Sequence, residues 1–141
     1  MFKTERRTMT EEERLEAIQQ LLERLEELSR THVLLVEGKK DREALDALGI
    51  GGDVFQVQSG GGPVAAADYV RAHGGKAVIL TDWDRRGNTL ADDLKQLLEG
   101  NSSSVDLQIR RELSGLCRMY IKDVESLDSL VALLSGKVYE R

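Results

Sequence analysis

The sequence contains very little cysteine, since Cys117 is the only one in 141 residues. A single thiol excludes an internal disulfide framework and a zinc site built from cysteines alone, and it is typical of a reducing cytoplasm. Free cysteine is usually a small buried apolar residue, and we expect that here. Histidine is almost as scarce: His32 and His73 stand far apart in the pattern and predict no ligand pair.

Long hydrophobic runs are also missing. No apolar segment approaches the ~20 residues that cross a bilayer. The first residues, MFKTERRTMTEEE, lack the apolar centre of a signal peptide. Hydrophobic residues at 40% and charged residues at 32% are typical of a globular protein, and the length suits one domain. We therefore expect a cytoplasmic protein that does not enter a membrane.

An excess of positive charge is absent as well. The formal net charge is −5, which counts against a protein that coats nucleic acid by bulk electrostatic attraction. If this protein binds a polyanion, a local basic patch or a metal ion must hold it.

The N-terminal part predicts an acidic amphipathic helix over residues 11–30. Thr10 and Glu13 have the spacing of a capping box. The stripe of apolar residues favours two arrangements, packing on the helix's own domain or a contact between two copies of the chain. Residues 1–30 are predicted as a helical extension whose apolar face carries Leu15, Ile18, Leu21, Leu22, Leu25 and Leu28.

After this extension, short β-rich apolar runs alternate with helical patterns. Such alternation predicts an α/β domain over residues 31–136, with a mostly parallel four-stranded sheet and helices on both faces, and a tail at 137–141. The predicted strands are 33–36, 54–57, 77–80 and 105–109, and the predicted helices are 41–48, one from Pro63, one through Leu90 and Leu98, and one from Val124 that ends before Gly136.

Carboxylates follow two of the predicted strands. Glu37 comes directly after the first strand, and Asp82 and Asp84 follow the third. Ligand sites in parallel sheets lie outside the carboxyl ends of the strands. If the first and third strands are neighbours, the three side chains converge there, and the alternation of a persisting strand puts Asp82 and Asp84 on one side.

Converging carboxylates repel one another, and a bound divalent cation removes that repulsion. Hard Mg²⁺ prefers carboxylate oxygen and keeps several waters for phosphate substrates. The pattern therefore favours a metal site at Glu37, Asp82 and Asp84, whereas the alternative is a set of solvated loop acids.

The stretches LLVEGKKDREAL and VILTDWDRRGNTLADDL carry a resemblance to a known family. Over roughly residues 31–136 the chain resembles the Toprim domain, which topoisomerases, bacterial primases and a ribosomal-RNA-maturing ribonuclease share, and it is most similar to the small stand-alone Toprim proteins. Glu37 and Gly38 match the family's E-G motif. Asp82, Asp84 and Gly87 match its D-x-D-x-x-G motif.

The resemblance implies a three-layer Toprim-like fold and Mg²⁺-dependent phosphodiester chemistry on RNA or DNA, with Mn²⁺ as an alternative ion. Asp82 and Asp84 would hold the metal, and Glu37 would be a further ligand or the proton-transfer group. A small nuclease, that is a hydrolase, or a subunit of a processing complex fits this reading. The alternative is a catalytically silent module that binds nucleic acid or a partner, because Asn88 stands where ribonuclease-like members carry another acid.

Basic residues and glycines flank these acids. Lys39, Lys40, Arg85 and Arg86 form a local basic rim where a phosphate backbone would dock, although each is often a solvated helix terminus. The backbone of Gly60 and Gly61 before Pro63 is a second candidate for phosphate binding. The alternative for these glycines is a turn without a ligand.

Two features near the third and fourth strands stay open. Trp83 either packs in the core or stacks on a base beside the metal. A second basic run contains Lys122, which reaches either the rim of the site or only solvent; its other members are Arg110, Arg111 and Arg118.

Overall fold

A parallel sheet forms the centre of the fold in a computed structural model of the chain, which describes residues 8–139. Because β1 and β3 are neighbours, with Leu35 paired to Ile79, their carboxyl ends lie side by side. The four strands of the described residues are β1 (Val33–Val36), β2 (Val54–Gln56), β3 (Lys76–Ile79) and β4 (Ser104–Asp106), in the order β2-β1-β3-β4.

Helices cover both faces of the sheet, which confirms the predicted α/β class. Leu34 and Val36 of β1 face the core that α1, α5 and α6 complete, whereas Val33 and Leu35 face the core of α3 and α4. A 3₁₀ turn at Val124–Ser126 leads into the last helix. The helices are α1 (Glu11–Leu28), α2 (Lys39–Ala47), α3 (Pro63–Ala72), α4 (Arg85–Gly100), α5 (Gln108–Cys117) and α6 (Leu127–Tyr139).

The N-terminal helix α1 packs within its own chain, which is the first of the two predicted arrangements. Its capping box is formed, because Thr10 Oγ1 accepts from the Glu13 N–H at 3.0 Å and Glu13 Oε1 accepts from the Thr10 N–H at 2.9 Å. Ile18 and Leu25 are fully buried. The apolar stripe contacts α5 and α6, so α1 is part of the core.

The predicted fourth strand, 105–109, was too long, and α5 was not predicted. The strand ends at Asp106, whose Oδ1 accepts from the N–H groups of Gln108 at 3.0 Å and Ile109 at 3.2 Å and so starts a helix. Ile109, Leu113 and Cys117 then recur every four residues and are all buried. Cys117 is thus the buried thiol that the sequence predicts, and burial raises its pKa to about 11.

The predicted end of the last helix before Gly136 was also wrong. Helix α6 continues through Tyr139, so residues 137–139 are helical rather than part of a tail. A glycine inside a helix costs only about 1 kcal/mol relative to alanine. The packing of Val138 against the core and an ion pair of 3.1 Å between Lys137 Nζ and Glu11 Oε2 stabilise the last turn.

Some predictions concern residues outside the described range. The expected lack of an export signal and the start of the helical extension involve residues 1–7, and the end of the predicted tail involves residues 140–141. Within residues 8–139, no helix combines the length and the apolar character that crossing a membrane requires.

Candidate metal and nucleic-acid site

The fold brings Glu37 and Asp82 together at the carboxyl ends of β1 and β3. Glu37 is only 6% exposed, and its Oε2 accepts a hydrogen bond of 2.8 Å from the backbone N–H of Asp82. The backbone carbonyl of Glu37 also accepts a hydrogen bond of 3.0 Å from the N–H of Gln58, which ties the end of β1 to the segment that follows β2. The two acids thus meet where the sequence predicts.

Asp84 has a different position from the one that strand alternation predicts. Strand β3 ends at Ile79, and Asp84 is the N-cap of α4, where its Oδ1 accepts from the Gly87 N–H at 2.7 Å. A Cβ added to Gly87 would lie 1.8 Å from the carbonyl oxygen of Asp82. Only glycine therefore allows the first turn of α4 to lie against the connection that carries the acids.

The surroundings of Asp82 favour its neutral form. Burial raises its pKa to about 7, and the nearby charges of Glu37, Asp41 and Asp123 act in the same direction. A hydrogen bond of 3.1 Å from the Val124 N–H to Asp82 Oδ1 opposes this shift only in part.

Asp41 is a fourth acid of this region that the sequence interpretation did not include. It is buried, and burial followed by the charge of Glu37 raises its pKa, whereas a hydrogen bond from the Gly38 N–H lowers it. Its position three residues after Gly38 is that of an acid closing the first turn of α2, a signal that was present in the sequence. The acids of this region therefore crowd one another.

The carboxylates suit a hard cation in chemistry, although they are not arranged as a three-ligand cage. Among residues 8–139, no group of three His, Cys, Asp or Glu side chains is gathered around one point as metal ligands. Asp82 and Asp84 each use one oxygen, and the other accepts no hydrogen bond from the described residues. Mg²⁺ is commonly held by one or two carboxylates with water and phosphate. The donor set therefore fits that ion.

Arg110 holds the connection that carries Asp82, and the sequence interpretation missed this. Its Nε donates to the Thr81 carbonyl at 2.9 Å, and one terminal nitrogen donates to the Asp82 carbonyl at 2.6 Å and to Asn88 Oδ1 at 2.7 Å. Burial lowers the pKa of Arg110, and the neighbouring acids oppose that shift. Asn88 is thus engaged with Arg110. The four-residue spacing after Ile109 could have revealed the helix that presents this arginine.

The lysines that follow Glu37 face acidic neighbours. Lys39 is exposed at the start of α2 and lies 4.0 Å from the Glu43 carboxylate. Lys40 lines a shallow cleft together with Glu43 and Glu125. These lysines are therefore partly neutralised by acids on the same surface.

The two arginines after Asp84 have different neighbours. A terminal nitrogen of Arg86 lies 3.9 Å from Glu37 Oε1, and the Arg86 side chain is 81% exposed. Arg85 is exposed and lines an open cleft of about 470 Å³ between the first turn of α4 and the end of α5. Of the two, Arg86 is the one placed beside the buried acid.

The glycines before α3 have structural reasons of their own. The Gly60 N–H donates to the Gln56 carbonyl at 2.9 Å, and an added Cβ would lie 2.4 Å from the Phe55 ring. Gly61 has a φ of +108°, which only glycine adopts without strain. The amide of Gly60 is therefore already engaged and not available to an anion in this conformation.

Trp83 packs partly against the core and partly lines the cleft beside Arg85. Its Nε1 donates to the Ile121 carbonyl at 2.8 Å, and its backbone N–H donates to the Lys122 carbonyl at 3.0 Å. Core packing is thus part of its role. Lys122 is exposed and lines the same cleft, which also contains Asp84. It therefore reaches the rim of the candidate site rather than only bulk solvent.

Comparisons with known proteins give a similar solved structure and a set of curated relatives. No protein-family model matches the chain. A putative protein from Aquifex aeolicus has a similar solved structure, with a TM-score of 0.66 and 28% identity over 76% of this chain and 94% of that one.

The curated relatives share one family designation. A UPF0292 protein of Methanosarcina barkeri is 39% identical over 125 residues, which is 88% of this chain and 87% of the relative. A UPF0292 protein of Thermococcus sibiricus is 36% identical over 118 residues, 84% of this chain and 90% of the relative. One from Methanocaldococcus jannaschii is 34% identical over 119 residues, 82% of this chain and 93% of the relative. On this similarity over nearly its whole length, the chain belongs to the UPF0292 family.

Proposed function

We propose that this protein carries out Mg²⁺-dependent phosphodiester chemistry on nucleic acid, as a small cytoplasmic nuclease or as the catalytic subunit of an RNA or DNA processing complex. The observation that carries the proposal is the hydrogen bond from the Asp82 N–H to the buried Glu37 carboxylate, across the ends of two neighbouring parallel strands. Glu37 is buried whereas its ion-pair partner Arg86 is 81% exposed, so a bound cation would offset the charge of these acids.

The chain's own residues divide the chemistry. When bound, Mg²⁺ supplies an acidified water and positive charge for the phosphate oxygens. Asp82 and Asp84 would hold the ion with their unengaged oxygens, and Mn²⁺ would suit the same donors. Glu37 orients the Asp82 backbone, and it would serve as a further ligand or as the group that accepts a proton from water. Arg110 keeps Asp82 in place through the two carbonyls it binds.

Nucleic acid is the proposed substrate for two reasons. The E-G and D-x-D-x-x-G motifs resemble those of the Toprim domain at Glu37, Asp82 and Asp84. In addition, Arg86 lies 3.9 Å from Glu37 and Arg85 lines the cleft that contains Asp84, on a protein whose net charge is −5. A local basic rim of this kind positions a phosphate backbone without coating it.

Hydrolysis of labelled oligonucleotides tests the proposal. Purified protein is incubated with single- and double-stranded RNA and DNA in Mg²⁺, in Mn²⁺ and in chelator. We expect cleavage of at least one substrate with metal, none with chelator, and loss of cleavage in Asp82→Asn. Asp93→Asn, an exposed acid elsewhere on α4, is the matched control and should cleave normally. Cleavage that persists in chelator or in Asp82→Asn would reject the proposal.

A catalytically silent binding module is the second candidate. It is favoured by the engagement of Asp84 as a helix cap and by the contact of Asn88 with Arg110, which leave fewer free ligand oxygens. Metal-dependent binding of an oligonucleotide or a partner protein, without any cleavage, would support this candidate over the enzyme.

A further inference from the structure

The open cleft of about 470 Å³ between the connection after β3 and the end of α5 is lined by more basic than acidic side chains. We propose that it binds a phosphodiester of a single nucleic-acid strand beside the candidate cleavage site, with Arg85, Arg118 and Lys122 as the phosphate contacts. This inference rests on the proposed function, because it names where the substrate strand would lie.

Three cations from two segments line this cleft, Arg85 at the start of α4 and Arg118 and Lys122 in the stretch that follows α5. None of Arg85, Arg118 and Lys122 forms an ion pair with any carboxylate in residues 8–139. Arg118 is already oriented, since its Nε donates to the Ser114 carbonyl at 3.3 Å and a terminal nitrogen donates to Ser114 Oγ at 3.1 Å. An exposed, pre-oriented guanidinium with unpaired neighbours of the same sign is suited to an anionic ligand.

Trp83 gives the cleft an aromatic wall. Its indole is held by the hydrogen bond from Nε1 to the Ile121 carbonyl, so the ring position is fixed. Single strands are commonly bound where a positively charged groove runs beside an aromatic ring on which a base stacks. In a duplex the faces of the bases are covered by stacking on neighbouring base pairs. The basic groove and the aromatic ring of Trp83 together therefore favour a single strand over a duplex.

The neighbouring surfaces would repel a polyanion. The cleft that contains Lys40 is also lined by Glu43, Glu125 and Asp128, and the groove along α1 is lined by Glu23, Glu26 and Glu27. In the basic cleft, the one carboxylate among the described lining residues is Asp84, whose Oδ1 accepts from the Gly87 N–H. Asp84 also belongs to the candidate metal site, so a phosphate bound here would be adjacent to that site.

The emission of Trp83 reports directly on occupancy, because it is the only tryptophan in the chain. The probe is a single-stranded oligothymidylate of about eight residues, titrated in chelator and again in Ca²⁺. We expect the emission to change on binding. Affinity falls as salt rises, and each of Arg118→Gln and Lys122→Gln should make the slope of log affinity against log salt less steep by about 0.7. This corresponds to about fivefold weaker binding at 0.1 M salt. Lys95→Gln is exposed further along α4 and should titrate like the wild type.

The outcomes separate this inference from the proposed function. An unchanged Trp83 emission in both conditions, or wild-type titrations by both Arg118→Gln and Lys122→Gln, would overturn the cleft even if the protein cleaves nucleic acid. Equal affinity for a duplex of the same length would overturn the single-strand assignment. The expected Trp83 response without any cleavage would support the cleft and reject catalysis.

Discussion

Glu37 Oε2 accepts a hydrogen bond of 2.8 Å from the backbone N–H of Asp82, so that one acid orients the segment carrying the other. The contact joins positions 45 residues apart in the chain. It exists because β1 and β3 are adjacent and parallel. Glu37 therefore has a structural role as an acceptor, which is separable from its charge.

Replacement of Glu37 by Gln or by Ala separates these roles. Glu37→Gln retains an oxygen that can accept from the Asp82 N–H and should leave the free energy of unfolding nearly unchanged in the absence of metal. Glu37→Ala leaves the partly buried N–H of Asp82 without an acceptor and should lower the free energy of unfolding by about 1–3 kcal/mol. Urea unfolding in chelator measures both, and equal destabilisation by the two changes would contradict the role of the hydrogen bond.

The stability of the metal-free protein should depend on the ionisation of Asp82. Burial raises its folded pKa to about 7, above the ordinary aspartate value of 3.8. The folded state therefore binds the proton more tightly, and the resulting stabilisation is present below about pH 4 and lost as the pH rises through 7. The full effect is at most about 4 kcal/mol.

Asp82→Asn isolates that contribution. The amide oxygen can still accept from the Val124 N–H but does not ionise, so the variant should lose less stability than the wild type between pH 4 and 7. Unfolding free energies measured across this range in chelator provide the comparison. Parallel curves for the two proteins would show that Asp82 ionises as an ordinary exposed acid.

Gly87 should tolerate no side chain. The Cβ of Gly87→Ala would lie 1.8 Å from the Asp82 carbonyl oxygen, a backbone atom that Arg110 also holds, so we expect a loss of more than about 3 kcal/mol or displacement of the connection. Gly100→Ala at the end of the same helix meets no atom within 4 Å. It should be neutral or stabilising by up to about 1 kcal/mol. Similar thermal melts for both variants would contradict this packing.

Helix α1 should contribute to the core as much as the later helices do. Leu25 is fully buried, so Leu25→Ala should cost about 2–5 kcal/mol. Leu133→Ala, at a position that is 50% exposed, should stay within about 0.5 kcal/mol. Denaturant unfolding with sedimentation of each variant checks this, and a dimer that Leu25→Ala converts to a stable monomer would show that α1 contacts a second copy instead.

The central strands were predictable because they are buried on both faces. Every residue of Val33–Val36 is apolar and buried, and such runs are typical of parallel sheets. The position of Glu37 followed directly. The position of Asp84 could not be predicted in this way. Leu80 and Thr81 are also buried, so the sequence pattern does not show that β3 ends at Ile79.

The role of Arg110 was missed because the fourth strand was predicted to continue to residue 109, directly before it, where the structure has a helix. Its role depends on carbonyl groups of residues 81 and 82, which belong to a connection whose path no local pattern encodes. The same holds for the Val124 N–H that binds Asp82. Side chains at strand ends were thus predictable, and the backbone groups that orient them were not.

Thermal unfolding with and without Mg²⁺ tests most directly whether Glu37, Asp82 and Asp84 form a metal site. At a hundredfold excess of free ion over its dissociation constant, the wild type should gain about 2.7 kcal/mol. Asp82→Asn and Asp84→Asn should lose most of this gain, Glu37→Gln should reduce it, and Asp93→Asn should keep it. An equal response to Mg²⁺ in all of these proteins, or no response in the wild type, would contradict the metal site.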